Sequence, residues 1–119
     1  MNKKKYFIVF YLFLFCTKVY SQNIAVLKYD GGGDWYSNPT SLKNLIRFSN
    51  DELNTKIDIE PMLVSAEDPK IFEYPILHMT GHGNVYFSKK AVQNLRTYLF
   101  GGGFLHIDDN YGMKPYILP

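Results

Sequence analysis

The segment from Gly101 to Asn110, GGGFLHIDDN, places a helix stop, a short apolar strand and two carboxylates within ten residues. Glycines directly after a helical pattern supply the left-handed backbone that ends a helix. Phe104 to Ile107 has the length and apolar character of a buried strand, which delivers Asp108 and Asp109 to its carboxyl end. Ligands bind at that edge in open α/β sheets, so the segment predicts where a functional site lies.

Residues 1–21 predict a secretory signal peptide that is not part of the fold. Three lysines, residues 3–5, precede the apolar run from Tyr6 to Phe15, and cleavage is expected after Ser21. An uncleaved anchor is the alternative, although about ten apolar residues are fewer than the roughly twenty that a spanning helix needs. We therefore expect export to the periplasm or cell envelope of a Gram-negative bacterium, with membrane contact only through an uncleaved signal segment.

Cleavage after Ser21 would leave a mature chain, residues 22–119, whose composition differs from that of the whole sequence. The whole sequence has 13 basic and 11 acidic residues, and four of the basic ones lie in the signal segment. Nine basic against eleven acidic residues give a net charge of −2, with no basic patch that would suggest nucleic acid. The single cysteine, Cys16, is also removed, which excludes disulfides, thiolate metal sites and cysteine nucleophiles.

Strand patterns alternate with helical ones along the mature chain. The strands are predicted at Ile24 to Tyr29, Ile57 to Val64, Ile76 to Thr80 and Phe104 to Ile107. Asn38 with Pro39 is expected to begin the first long helix, and a short helical turn is expected from Asp68 to Phe72. The apolar face of that first helix comprises Leu42, Leu45, Ile46, Ser49 and Leu53. Ser88 is expected to cap the second, with a buried stripe of Val92, Leu95 and Leu99.

This alternation predicts a parallel sheet with right-handed crossovers, in a three-layer α/β sandwich of strand order 2-1-3-4. The order places Pro61, which cannot donate to a ladder, in an edge strand. The switch point then falls between the first and third strands. Because Gly112, Pro115 and Pro119 oppose a helix after the fourth strand, we expect the domain to be truncated.

Three loops are expected to converge at the carboxyl edge of this sheet. The candidate ligand-binding residues in them are Asp30, Gly31, Gly32, Gly33, Asp34, His82, Asp108 and Asp109. The glycine run would let backbone amides approach a ligand, but its spacing is not that of a phosphate loop or a dinucleotide fingerprint. A flexible strand-to-helix turn explains the run equally well, and Trp35, Tyr36 and Tyr111 are interpreted as loop packing.

His82 is flanked by Gly81 and Gly83, which let the backbone turn sharply and present the imidazole. Alternatively, the glycines make a tight turn and His82 bonds a neighbouring loop, because no nucleophile or oriented base accompanies it.

Asp108 and Asp109, together with His82, could bind a divalent cation, the only cofactor that the residues suggest. Alternatively, both carboxylates cap the next helix. His78 and His106 lie on buried strand patterns and are interpreted as satisfied core histidines.

Three motifs together resemble the exported bacterial family of domain of unknown function 4159: IAVLKYDGGGDWY, LHMTGHG and GGGFLHIDD. The resemblance runs from Ile24 to the end and covers the amino-terminal half of the family's domain. It implies a class I glutamine amidotransferase-like, flavodoxin-like fold, and trehalose-utilisation type domains are similar more distantly. A working amidotransferase would need a cysteine after the third strand, where this chain has Thr80 to Gly83, so the residues argue against glutaminase activity.

The sequence therefore predicts a non-catalytic module that binds a small polar ligand or an envelope protein at the carboxyl edge. The alternative is a metal-assisted hydrolase that uses His82, Asp108 and Asp109.

Overall fold

A computed structural model describes residues 23–117; the predicted signal peptide lies outside the described residues. The strands are β1 (Ile24–Lys28), β2 (Met62–Ser65), β3 (Ile76–His82) and β4 (Phe104–Tyr111). The helices are α1 (Ser41–Leu53), a 3-10 helix (Pro69–Glu73), α2 (Lys89–Phe100) and α3 (Lys114–Ile117). Within residues 23–117, no helix has the length and apolar character needed to cross a membrane.

The four strands form one parallel sheet in the order β2-β1-β3-β4, which confirms the predicted topology. One row across the sheet consists of Leu63, Val26, His78 and His106, each beside the next. β2 follows Pro61 and is an edge strand, as the proline predicts. The switch point lies between β1 and β3, so the loops after these two strands flank one crevice.

Helices cover both faces of the sheet, as expected for a three-layer α/β sandwich, and the arrangement is consistent with a flavodoxin-like fold. Successive strand residues point to opposite faces. On one face, Leu27, Leu77 and Met79 belong to a large buried cluster to which α2 contributes. On the other face, α1 contributes only Leu42 and Ile46 to a much smaller cluster. This thinner cover leaves part of the α1 face free to form a cavity.

The predicted buried stripe of α2 is wrong in two of its three positions. Val92 and Leu99 are 53% and 48% exposed, whereas Ala91, Leu95 and Tyr98 are buried. The Tyr98 hydroxyl donates to the backbone oxygens of Tyr74 and Phe104, which fixes the rotation of the helix. The expected cap is confirmed, because the hydroxyl oxygen of Ser88 accepts a bond from the Ala91 amide.

The first long helix begins later than predicted. Its N-cap is Thr40, while Asn38 has a φ of 56° and donates from Nδ2 to Oδ1 of Asn110. This contact between the loop and β4 removes Asn38 from the capping position. Leu45 and Leu53 are exposed, so the buried face is narrower than the sequence pattern indicates.

The remaining differences concern element lengths. β2 begins five residues later than expected, at Met62, because Asn50 instead holds Ile57 through hydrogen bonds to its amide and carbonyl. β4 continues to Tyr111, so that Asp108 and Asp109 lie within the strand and not after it. A short helix, α3, does follow β4 despite the opposing residues.

Candidate functional site

The glycine run after β1 packs against the segment that follows β3. The Gly33 amide donates to the Asn84 carbonyl, and Asp30 forms an antiparallel bridge with Tyr86. A Cβ on Gly33 would overlap the Asn84 carbonyl oxygen, so glycine is required there for the close approach of the two loops. The run therefore joins the loop after β1 to the segment after β3.

Asp34, in the loop after β1, and His82, at the end of β3, form a hydrogen-bonded pair. The Asp34 carboxylate accepts bonds from the His82 backbone amide and from Nδ1 of its ring, with Nδ1 2.9 Å from Oδ2. These contacts hold the pKa of Asp34 below its ordinary value, and the backbone hydrogen bond has the largest effect. His82 thus bonds a neighbouring loop, which is the alternative interpretation of its glycine-flanked turn.

Asp109 caps α3, and its two oxygens accept the amides of Met113 and Lys114 at 2.9 and 3.1 Å. Asp108, its neighbour in β4, points to the opposite face of the sheet. No group of three or more histidine, cysteine or acidic side chains that could hold a metal occurs among residues 23–117. The structure thus does not assemble His82, Asp108 and Asp109 into one coordinating cluster.

A cavity of about 400 Å³ lies between α1 and the sheet, next to the switch point. Its floor includes Val26 of β1 and two polar residues of β3, His78 and Thr80. The loop after β1 and the start of α1 form one wall, with Trp35 and Tyr36 among the lining residues. The cavity adjoins the predicted site. Asp34, which bonds His82, directly precedes Trp35, and Trp35 lines the cavity.

His78 and Thr80 are 8% and 4% exposed, and each has a polar atom without a hydrogen-bond partner in the described part of the chain. These atoms are Nε2 of His78 and Oγ1 of Thr80. The interpretation of His78 as a satisfied core histidine is therefore wrong for one of its two nitrogens. His106 is exposed and lies on an edge strand, so it is not a core residue either.

The two strand histidines stack, with Nδ1 of His78 2.9 Å from Nδ1 of His106. One of these nitrogens must donate to the other. Burial lowers the pKa of His78, the neighbouring His106 lowers it further, and Asp108 acts in the opposite direction. Burial and His106 thus favour the neutral ring, and its Nε2 has no partner among the described residues.

This lowered pKa predicts a loss of stability in mild acid. The unfolded chain takes up a proton on His78 near pH 6.5, whereas the folded protein takes it up only at lower pH. The free energy of unfolding should therefore fall as the pH decreases below about 6.5. His78→Gln, which does not titrate, should reduce this dependence when unfolding by urea is compared at about pH 7.5 and 5.5. An identical pH dependence in both proteins would contradict the assignment.

Sequence reasoning located the edge of the sheet but missed the cavity residues His78 and Thr80. A signal was available in the strand Ile76 to Thr80, where these two polar residues alternate with Leu77 and Met79. In a strand covered on both faces, such alternation leaves polar side chains in need of partners. Trp35 and Tyr36, interpreted as loop packing, also line the cavity, although Trp35 does pack against the core.

Comparison with known families gives one match. The profile of a family described as a domain of unknown function, DUF4159, matches residues 23–118. A comparison with curated proteins found no significant match. Because the family match spans most of the sequence and includes the sheet, the helices and the cavity, the chain belongs to the DUF4159 family.

Proposed function

We propose that this domain is a binding module that takes a small polar ligand in the cavity between α1 and the sheet. The observation that carries the proposal is that two residues lining this cavity, His78 and Thr80, each have a buried polar atom, Nε2 and Oγ1, without a partner among the described residues. The position supports it as well, since ligands of open α/β sheets bind at the switch point.

The energetic argument concerns the cost of these two polar groups. A buried polar atom without a partner destabilises the folded state by about 1 to 3 kcal/mol. A ligand that offers a hydrogen-bonding group to each atom would remove that cost, and the free energy recovered would favour binding. In this proposal the predicted edge residues, Asp34 and His82, act by positioning the loop that carries Trp35 and Tyr36.

Thr80→Val is expected to make the protein more stable and less able to bind. The valine methyl takes the place of the unpartnered hydroxyl, so the free energy of unfolding should rise by about 1 kcal/mol. Thr97→Val is the matched control, because the Thr97 hydroxyl donates to the Gln93 carbonyl and its removal should bring no gain. Urea denaturation of both variants measures the difference, and a less stable Thr80→Val would count against the unpartnered hydroxyl.

Binding is tested by NMR on ¹⁵N-labelled protein with a panel of small hydroxyl- and carboxyl-bearing compounds. The wild type should show shifts at His78, Thr80 and the Trp35 indole, and Thr80→Val should lose them. Shifts confined to Asp34 and His82, with none in the cavity, would overturn the proposal in favour of a site on the exposed loops.

Catalysis is not part of the proposal. The alternative of a metal-assisted hydrolase depends on His82, Asp108 and Asp109, two of which are engaged in other contacts. The relationship to glutamine amidotransferases stays an inference from the resemblance, and the mature chain lacks the cysteine that such an activity needs.

Export is a separate proposal, supported by the basic and apolar pattern of residues 1–21. Expression in a Gram-negative host should give a periplasmic product that begins at Gln22. Amino-terminal sequencing of that product tests it, and an intact Met1 would favour an anchor.

A further inference from the structure

We propose that the cavity ligand is a small hydroxycarboxylate. Its carboxylate would lie at the amino terminus of α1, and its hydroxyl would face His78 and Thr80. This inference rests on the proposed function and names the ligand class for the same cavity. Two independent features of the cavity wall support it, one at the helix terminus and one on the sheet.

The first feature is the uncapped amino terminus of α1, a helix of 13 residues. Its N-cap, Thr40, makes no side-chain capping hydrogen bond, and no acidic residue lies in the first turn. The Leu42 and Lys43 amides therefore lack the side-chain acceptor that a capped helix provides. Ser41, Leu42 and Lys43 all line the cavity. A helix amino terminus carries partial positive charge and free amides, which suits a carboxylate.

The second feature is the pair of polar atoms on the sheet, Nε2 of His78 and Oγ1 of Thr80. The proton that His78 shares with His106 lies on one Nδ1 or the other, so Nε2 of His78 either donates or accepts. A hydroxyl can also donate or accept, so it matches the imidazole in both tautomers and the threonine as well. An ammonium group would lack this versatility, because it only donates.

The rest of the lining limits the size and charge of the ligand. Lys43 and Glu60 both line the cavity and are paired at 2.6 Å, so their charges offset each other. The amino terminus of α1 adds partial positive charge that no acidic side chain in its first turn offsets. Trp35, Val26 and Leu63 add apolar surface to the lining. A compact ring that carries a carboxylate and a hydroxyl at opposite ends fits this distribution.

The test uses three probes of nearly the same shape: 4-hydroxybenzoate, 4-hydroxybenzamide and benzoate. Binding to the full-length protein is measured by isothermal titration calorimetry, with NMR shifts at His78 and Thr80 to identify the site. We expect 4-hydroxybenzoate to bind about tenfold more tightly than the neutral amide, because only the acid gains from the helix terminus. Benzoate should also bind more weakly, because it lacks the hydroxyl.

Two variants separate the contributions of the two ends. Thr40→Asp places a negative charge beside the amino terminus of α1 and should abolish the preference for the acid over the amide, while its interaction with the helix dipole should preserve or raise stability. Thr40→Asn is its matched control, a neutral side chain of the same shape that should reduce the preference less. Thr80→Val should bring the affinity of 4-hydroxybenzoate close to that of benzoate.

The outcomes distinguish this inference from the proposed function. Equal binding of acid and amide, with shifts in the cavity, would overturn the carboxylate assignment and leave the cavity as the binding site. If Thr40→Asp still preferred the acid over the amide, the helix terminus would not be the binding site of the carboxylate. If neither these probes nor the wider panel produce shifts at His78 and Thr80, both proposals fail.

Discussion

Gly81→Ala is expected to lower the free energy of unfolding by about 3 kcal/mol or more. A Cβ at this position would overlap the Tyr29 hydroxyl oxygen and lie 3.1 Å from the Asp34 carbonyl oxygen. Tyr29 is buried and donates to the Thr80 carbonyl, so its ring cannot move away without losing that bond. The φ of Gly81, 148°, adds backbone strain for any other residue. Urea denaturation monitored by circular dichroism measures the loss.

Gly83→Ala is the matched control on the other side of His82. Gly83 has a φ of 64°, and a Cβ added there would meet no atom of the described residues within 4 Å. Its replacement should cost only about 1 kcal/mol, from the left-handed backbone. Adding Tyr29→Phe to Gly81→Ala should recover part of the lost stability. Equal costs at the two glycines would contradict the close packing of Tyr29 and Asp34 against Gly81.

Leu95→Ala is expected to lower the free energy of unfolding by about 3 kcal/mol, because it opens a space in the main core. Leu95 is 8% exposed and packs in the cluster beneath α2, whereas Leu99 on the same helix is 48% exposed. Leu99→Ala should therefore cost less than about 1 kcal/mol. Both substitutions are Leu→Ala in the same helix, so side-chain size and helix propensity change equally. The difference between the two unfolding free energies, measured by chemical denaturation, therefore reports the effect of burial. A larger loss at Leu99 would show that α2 is rotated toward the predicted stripe.

The arrangement of the sheet could be predicted because its signals are local. Ser88 caps α2 as expected, and Asp68 begins the predicted short helical turn, where its side chain accepts the Lys70 amide. Pro61 marks an edge strand, and alternating strands and helices require parallel pairing. These features fix the order β2-β1-β3-β4 without knowledge of any side-chain contact.

The orientation of each helix depends on contacts that the sequence pattern does not specify. In α2, the sets 91, 95, 98 and 92, 95, 99 both have helical spacing, and the pattern favours the more apolar set. The structure buries the other set because Tyr98 reaches two backbone oxygens and the small Ala91 permits close approach. At the start of α1, the contact of Asn38 with Asn110 spans 72 positions along the chain.

The predicted site and the proposed cavity lie at the same edge of the sheet, but the prediction named charged and glycine residues there, whereas the proposal depends on His78 and Thr80. Asp34 and His82 bond each other, and Asp109 accepts two backbone amides, so each of these side chains has a partner within the protein. His78 and Thr80 do not stand out in the sequence because buried strand residues are expected to be satisfied. Their lack of partners becomes visible only when the neighbours of each polar atom are known.

A crystal structure of the protein soaked with hydroxyl-bearing small molecules tests the central claim most directly. We expect a molecule in the cavity between α1 and the sheet, with a polar atom within about 3.2 Å of both Nε2 of His78 and Oγ1 of Thr80. Thr80→Val crystals soaked in the same way should contain none there. Molecules bound only elsewhere on the protein, or a cavity filled by a protein side chain that bonds His78 and Thr80, would contradict the account.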